Sequence, residues 1–124
     1  GFSLASGGAG AAVQFTTYQA ALSSVVVTPA AAMPLAAGVW WCEAWASFAA
    51  NVTGIRVVFP QINGASSGRR AQIVATTGGV TTEVGVAFKV VVAAAATVGL
   101  VCAQTSGGAL STSARMSAVR VGAL

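Results

Sequence analysis

Apolar and polar residues alternate with a period of two along much of this chain, the pattern of strands that bury one face. Between Val80 and Val92, the residues Val80, Thr82, Val84, Val86, Phe88, Val90 and Val92 share one face, while Thr81, Glu83, Gly85, Ala87, Lys89 and Val91 share the other. The first face suits a core, and the second carries both charges of the segment. From Val39 to Ala49 the alternation has a different outer face. Trp40, Cys42, Ala44, Ala46 and Phe48 form a wholly apolar side, whereas Val39, Trp41, Glu43, Trp45 and Ser47 set one carboxylate between two indoles. The apolar side belongs inside a sandwich, and the other is too aromatic for plain exposure to water.

Turn residues punctuate the chain at Thr28-Pro29, Met33-Pro34, Ala37-Gly38, Asn51 to Gly54, Asn63-Gly64, Ser67-Gly68, Gly78-Gly79 and Ser106 to Gly108. The segments between them predict strands over Val13–Thr17, Leu22–Val27, Gly38–Ala49, Ile55–Ile62, Ala71–Ala75, Val80–Val92, Thr97–Gln104 and Arg115–Val121. Pro60 interrupts one of these and should mark an edge or a bulge. Many short strands with turns at this spacing predict an all-β fold, a β-sandwich or jelly roll of two antiparallel sheets. Residues 1–12, rich in Gly, Ala and Ser, read as a flexible lead-in, and residues 13–124 as a single domain.

Composition narrows the choice of surroundings. The chain has 124 residues, of which 56% are hydrophobic and only 6% charged, with 15 Gly and no His. Such a balance fits a membrane protein, a low-complexity tract or a β-rich chain covered by its neighbours. The apolar stretch Gly85–Ala103 contains Lys89 and is rich in β-branched Val, and Met33–Ala50 carries Glu43 in its middle, so membrane insertion is not expected. The net charge of +4 comes from scattered cations, of which only Arg69 and Arg70 are adjacent. No basic stripe interleaved with aromatics appears, so nucleic acid is not an expected partner.

The chemistry of catalysis is missing from the inventory. With neither His nor Asp in the chain, no Ser-His-Asp or Cys-His arrangement can form. The only two acids, Glu43 and Glu83, stand on strands in patterns that suggest interface or surface roles. No phosphate loop is present, since the Gly-rich runs lack a following Lys. Cys42 and Cys102, 60 residues apart, cannot complete a zinc site without His or further Cys, and are either core thiols or one disulfide. No catalytic residue, cofactor or metal site is expected.

Several pieces of the sequence are familiar in this order. Ala37-Gly38-Val39-Trp40, then Ser47 to Arg56, then Ile62-Asn63-Gly64 resemble the jelly-roll head domains of the complement-like and tumour-necrosis-factor-like class found in tailed-phage fibres and other virion proteins. Gln104 to Leu110 and Met116 to Val121 look like the penultimate turn and last strand of the same class. Trp40 stands where a Tyr is usual, Ala95-Ala96 where Gly-Asp is common, and the segment between Asn63 and Val80 is short.

The resemblance implies a homotrimer of jelly rolls, packed edge to face about a three-fold axis, on the exterior of a phage virion. A surface covered by neighbours would explain the scarcity of charge. The implied function is that of a non-enzymatic head domain of a tail or capsid fibre, in contact with other virion proteins and with a host-surface receptor or glycan. One alternative is a decoration protein that cements capsid subunits, and another, of a different class, is a bacterial carbohydrate-binding or adhesin module. Tyr18, Trp40, Trp41 and Trp45 are the aromatics that could stack on a sugar. The cysteines of a protein made in a reducing cytoplasm are expected to be free thiols rather than a disulfide.

The residue assignments follow. Trp40, Phe48, Val86, Phe88, Val98 and Leu100 are expected in the core. Trp41, Glu43 and Trp45 are expected at the subunit interface, with Glu43 paired to an Arg or Lys of the same or a neighbouring chain, Arg120 and Arg56 being the first candidates. Arg69 and Arg70 are expected on an exposed loop that meets a partner.

Overall fold

The computed structural model describes residues 2–7, 11–12, 20–21 and 32–124. The expected strands Val13–Thr17 and Leu22–Val27, and Tyr18, lie outside them. Among the described residues eleven strands follow one another: β1 (Phe2–Leu4), β2 (Ala11–Ala12), β3 (Ala20–Ala21), β4 (Ala32–Leu35), β5 (Gly38–Phe48), β6 (Ile55–Ile62), β7 (Ala65–Ser66), β8 (Ala71–Val74), β9 (Thr82–Val92), β10 (Ala96–Gln104) and β11 (Leu110–Gly122).

They form two sheets. Sheet one has the order β1-β11-β5-β9, with β3 also on β11; sheet two runs β2-β10-β6-β7, with β4 also on β10 and β8 also on β6. Pairing is antiparallel except for the short parallel contact of β3 with β11. The chain is therefore all-β, with two sheets face to face. Among the described residues no helix is long and apolar enough to cross a membrane.

The alternation explains the core. On β5 the buried residues are Trp40, Cys42, Ala44, Ala46 and Phe48, and on β9 they are Thr82, Val84, Phe88, Val90 and Val92. They pack against Met33, Leu35, Val58, Val98, Leu100 and Cys102 of the other sheet. Val86 is half-buried at the margin of this cluster. Both cysteines are buried free thiols.

The strands depart most from the periodicity at β4, at the start of β9 and at the start of β11. Met33-Pro34, a turn by composition, lies in β4, where Met33 and Leu35 are buried and Pro34 pairs opposite Thr97. Because β4 is an edge strand, a residue without an N–H is tolerated there. β9 starts at Thr82 instead of Val80, after Gly78 and Gly79 with φ of 86° and 72°. β11 starts at Leu110, five residues before the expected Arg115.

The lead-in expected over residues 1–12 contains two strands. Phe2–Leu4 pairs with Leu110–Thr112 of β11, Leu4 is buried in the core, and Ala11–Ala12 pairs with β10. A glycine-rich composition masked these short pairings.

Pro60 sits within β6, opposite Leu100 of β10. Its carbonyl accepts from the Ser67 backbone N–H at 3.1 Å and from Ser67 Oγ at 2.8 Å. On that side β6 is paired by β7 at Gln61–Ile62 and by β8 at Ile55–Val58, so Pro60 falls in the gap between two partners. Its missing N–H breaks no ladder there. Asn63-Gly64 forms the two-residue turn of the β6–β7 hairpin, with φ of 50° and 78°, as Asn-Gly turns require.

Candidate functional site: the outer face of sheet one

The residues of β5 that point away from the core form a column flanked on both sides by register partners. Trp41 lies between Lys89 and Val119, Glu43 between Ala87 and Ser117, Trp45 between Gly85 and Arg115, and Ser47 between Glu83 and Ser113. Gly85 and Ala87 are too small to cover the column from the β9 side. Trp41 is accordingly 44% exposed, and Val91, Val119 and Val121 stand exposed beside it.

The face divides into two halves. Around Trp41 it is aromatic and aliphatic. Around Ser47 it is hydroxyl-rich, and Ser47, Thr81, Ser111 and Ser113 line an open recess of about 220 Å³. At the boundary, the Arg115 guanidinium carbon lies 4.7 Å from the Trp45 ring centroid, a cation–π contact. Trp41 Nε1 donates to Glu43 Oε1 at 3.4 Å, a long bond between neighbours on one strand. Glu43 thus bonds toward Trp41 while Arg115 lies over Trp45.

Both acids of the chain, Glu43 and Glu83, are on this one face, together with Lys89 and Arg115. Cations therefore balance acids here, whereas the remaining cations, Arg56, Arg69, Arg70 and Arg120, have no acid on their part of the molecule. This charge arrangement depends on register, which the sequence alone does not give.

Within one chain neither Arg56 nor Arg120 meets Glu43, and for Arg56, which is buried, the expected place at an interface is corrected. Arg56 is fully buried. Its Nη1 donates to the carbonyls of Thr53 at 2.9 Å and Ile55 at 3.1 Å, and its Nη2 to that of Asn51 at 2.9 Å. The guanidinium sits 6.0 Å from the Phe48 centroid, and burial pushes its pKa down. Arg56 is a clamp that closes the turn between β5 and β6 from within. That turn also needs Gly54, at φ +79°, where an added Cβ would run into the Thr105 carbonyl.

Arg120 points inward at the opposite end of the sandwich, where it pairs with Trp40 across β11 and β5. Its Nη2 donates to the Ala37 carbonyl at 2.9 Å, and Trp40 Nε1 donates to Ala36 at 2.9 Å, so both hold the turn between β4 and β5. A Cβ on Gly38 would lie 2.6 Å from Arg120 Nε, so glycine makes room for this side chain.

The other assigned residues are placed as follows. Trp40, Phe48, Phe88, Val98 and Leu100 are buried in the core. Arg69 and Arg70 are exposed on the loop between β7 and β8. Arg69 also lines, with Ile62, Ser67 and the β9 residues Phe88 to Val91, a groove of about 210 Å³ beside the edge of sheet one. Arg115 and Lys89 are the cations that share a face with Glu43. Lys89 was legible from the alternation of its strand, but Arg115 became visible only through its pairing with Trp45.

The loops at one end of the sandwich are tied to each other. Gly7 N donates to Gln104 O at 2.7 Å, Gly107 N to Ser6 Oγ at 2.8 Å, Ala75 N to Gly54 O at 2.9 Å, and Ile55 N to Thr105 Oγ1 at 3.0 Å. Gln104, buried, donates through Nε2 to the carbonyls of Leu4 and Gly108. The loops are thus held in fixed relation, with Val52 and Val80 exposed upon them. Among the described residues no three His, Cys, Asp or Glu side chains gather at one point. Comparison with protein-family models and with curated proteins finds no match for this chain.

Proposed function

We propose that this chain is a non-enzymatic structural protein of a tailed-phage virion. In this reading it is a jelly-roll head domain of a tail or capsid fibre that forms trimers through the outer face of sheet one and presents its tied loops to the host surface. The observation that carries the reading is that face, with Trp41, Val91, Val119 and Val121 exposed around Glu43 and Arg115. A surface of exposed aromatic and aliphatic residues with balanced charge suits burial against copies of the same chain.

The strand order supports the jelly roll. With the two-residue strands set aside, the eight others fall as first-eighth-third-sixth in sheet one and second-seventh-fourth-fifth in sheet two, the connectivity of a double Greek key. The sparse charge supports a subunit whose surface is largely covered. The reading is tested on purified phage particles from the source of the chain. Mass spectrometry should find its peptides at the stoichiometry of a structural component, and their absence from the particles overturns the proposal.

A further inference from the structure

β9 is an exception among the sheet edges. Among the described residues, the other edge positions are held by β1, β2, β3, β4, β7 and β8, each of two to four residues. Short edge strands limit pairing with other chains. β9 has eleven residues and, among the described residues, pairs only with β5 and receives no backbone hydrogen bond from any turn or loop. Its far side is a row of backbone donors and acceptors awaiting a strand.

The sequence of that edge is complementary to itself. If two copies of β9 lie antiparallel and centred on Val86, Glu83 of each stands directly opposite Lys89 of the other. Val84 then faces Phe88, Thr82 faces Val90 and Gly85 faces Ala87, so inward residues meet inward and outward meet outward. A slip of two residues in either direction sets Glu83 against Ala87 or Val91 and separates the charges. Opposite charges directly across a strand pair are favourable, and here they select one register.

The surroundings fit the same register. The groove of about 210 Å³ runs beside Phe88 to Val91, with Ile62, Ser67 and Arg69 on its other wall. Residues 81–84 of the second copy would lie along it, bringing the partner's Glu83 to Lys89 with Arg69 on the far side. The groove has two cations and no acid, and the strand that would enter it brings one.

We propose that two copies of this chain join edge to edge through β9, antiparallel about Val86, so that sheet one continues from one copy into the next. The contact is two-fold and isologous. It uses the backbone edge of β9 rather than the outer face of the trimer reading, although Glu83 and Lys89 border both, and it does not rest on that reading.

Lys89 is the only lysine of the chain, which makes zero-length carbodiimide coupling decisive. Glu83 and Lys89 are six residues apart on one extended strand, about 20 Å, too far for an amide within one chain. A Glu83–Lys89 link found by peptide mapping of the coupled wild-type protein is therefore a link between copies, and it is the expected result. Coupling only through Glu43, or none at Lys89, overturns the proposal.

Sedimentation equilibrium supplies the second arm. Glu83→Lys and Lys89→Glu should each halve the assembly mass of the wild type, and the double exchange should restore it. Unchanged mass in both single variants overturns the proposal as well. A trimer without the Glu83–Lys89 link removes the edge contact alone, whereas a linked dimer as the largest species removes the trimer reading alone.

Discussion

Arg115 lies over Trp45, its guanidinium carbon 4.7 Å from the ring centroid, on strands that bring the two residues directly opposite each other. The contact places a cation over an indole whose partner on the β9 side is only Gly85. Such contacts at exposed sites are worth about 0.5–1 kcal/mol. Arg115→Ala should lower the urea unfolding free energy by about that much at fixed chain concentration, with Arg115→Lys recovering part of it. An unchanged midpoint in Arg115→Ala would show that the stack contributes nothing.

The Arg56 clamp makes a stronger prediction. Its guanidinium serves the carbonyls of Asn51, Thr53 and Ile55 from a fully buried position. Hydrogen bonds to charged groups contribute about 1.5–3 kcal/mol each, so Arg56→Met should cost at least one such bond, measured by urea denaturation. Arg56→Lys should not restore the loss, because a single ammonium cannot reach carbonyls on both sides of the turn as the planar fork does. Full stability in either variant would remove Arg56 from this role.

The cysteines give a prediction with a pH sign. Burial pushes the thiol of Cys42 up to about 11 and that of Cys102 up to about 12, from an ordinary value of 9.0. The folded chain therefore keeps both protons to higher pH than the unfolded chain does. Their contribution to stability is complete below pH 9 and is lost as pH rises through about 11 and 12. The unfolding free energy should fall over that window by up to about 1.4 kcal/mol per pH unit for each thiol. The double variant Cys42→Ala, Cys102→Ala should fall less steeply. Alkylation without reductant should give no adduct on the native chain and two after unfolding; no adducts after unfolding would mean a disulfide.

Period two made the faces legible, but not the neighbours. It gave both ends of β6 at Ile55 and Ile62 and the inward set of β5 from Trp40 to Phe48. Alternation says which side of a sheet a residue occupies, and leaves open which strand lies alongside. The cations beside Glu43 depend on the pairing of β5 with β9 and β11, strands about 40 and 70 residues farther along the chain. Arg56 was misread for a different reason. A cation on a strand is ordinarily assigned to a solvated or paired face, yet here the turn just upstream offers three carbonyls that take up both Nη groups inside, while Nε stays buried without a partner. The short strands β1 and β4 were hidden by glycine nearby and by a proline that an edge tolerates.

Sedimentation equilibrium of the wild type at micromolar concentration shows whether copies of the same chain cover the outer face of sheet one. The expected mass is three times the 12.1 kDa chain mass, or six times where the β9 edges also join, with a fall below three when Trp41→Ser and Trp45→Ser are combined. A wild-type chain that sediments at 12.1 kDa would contradict it.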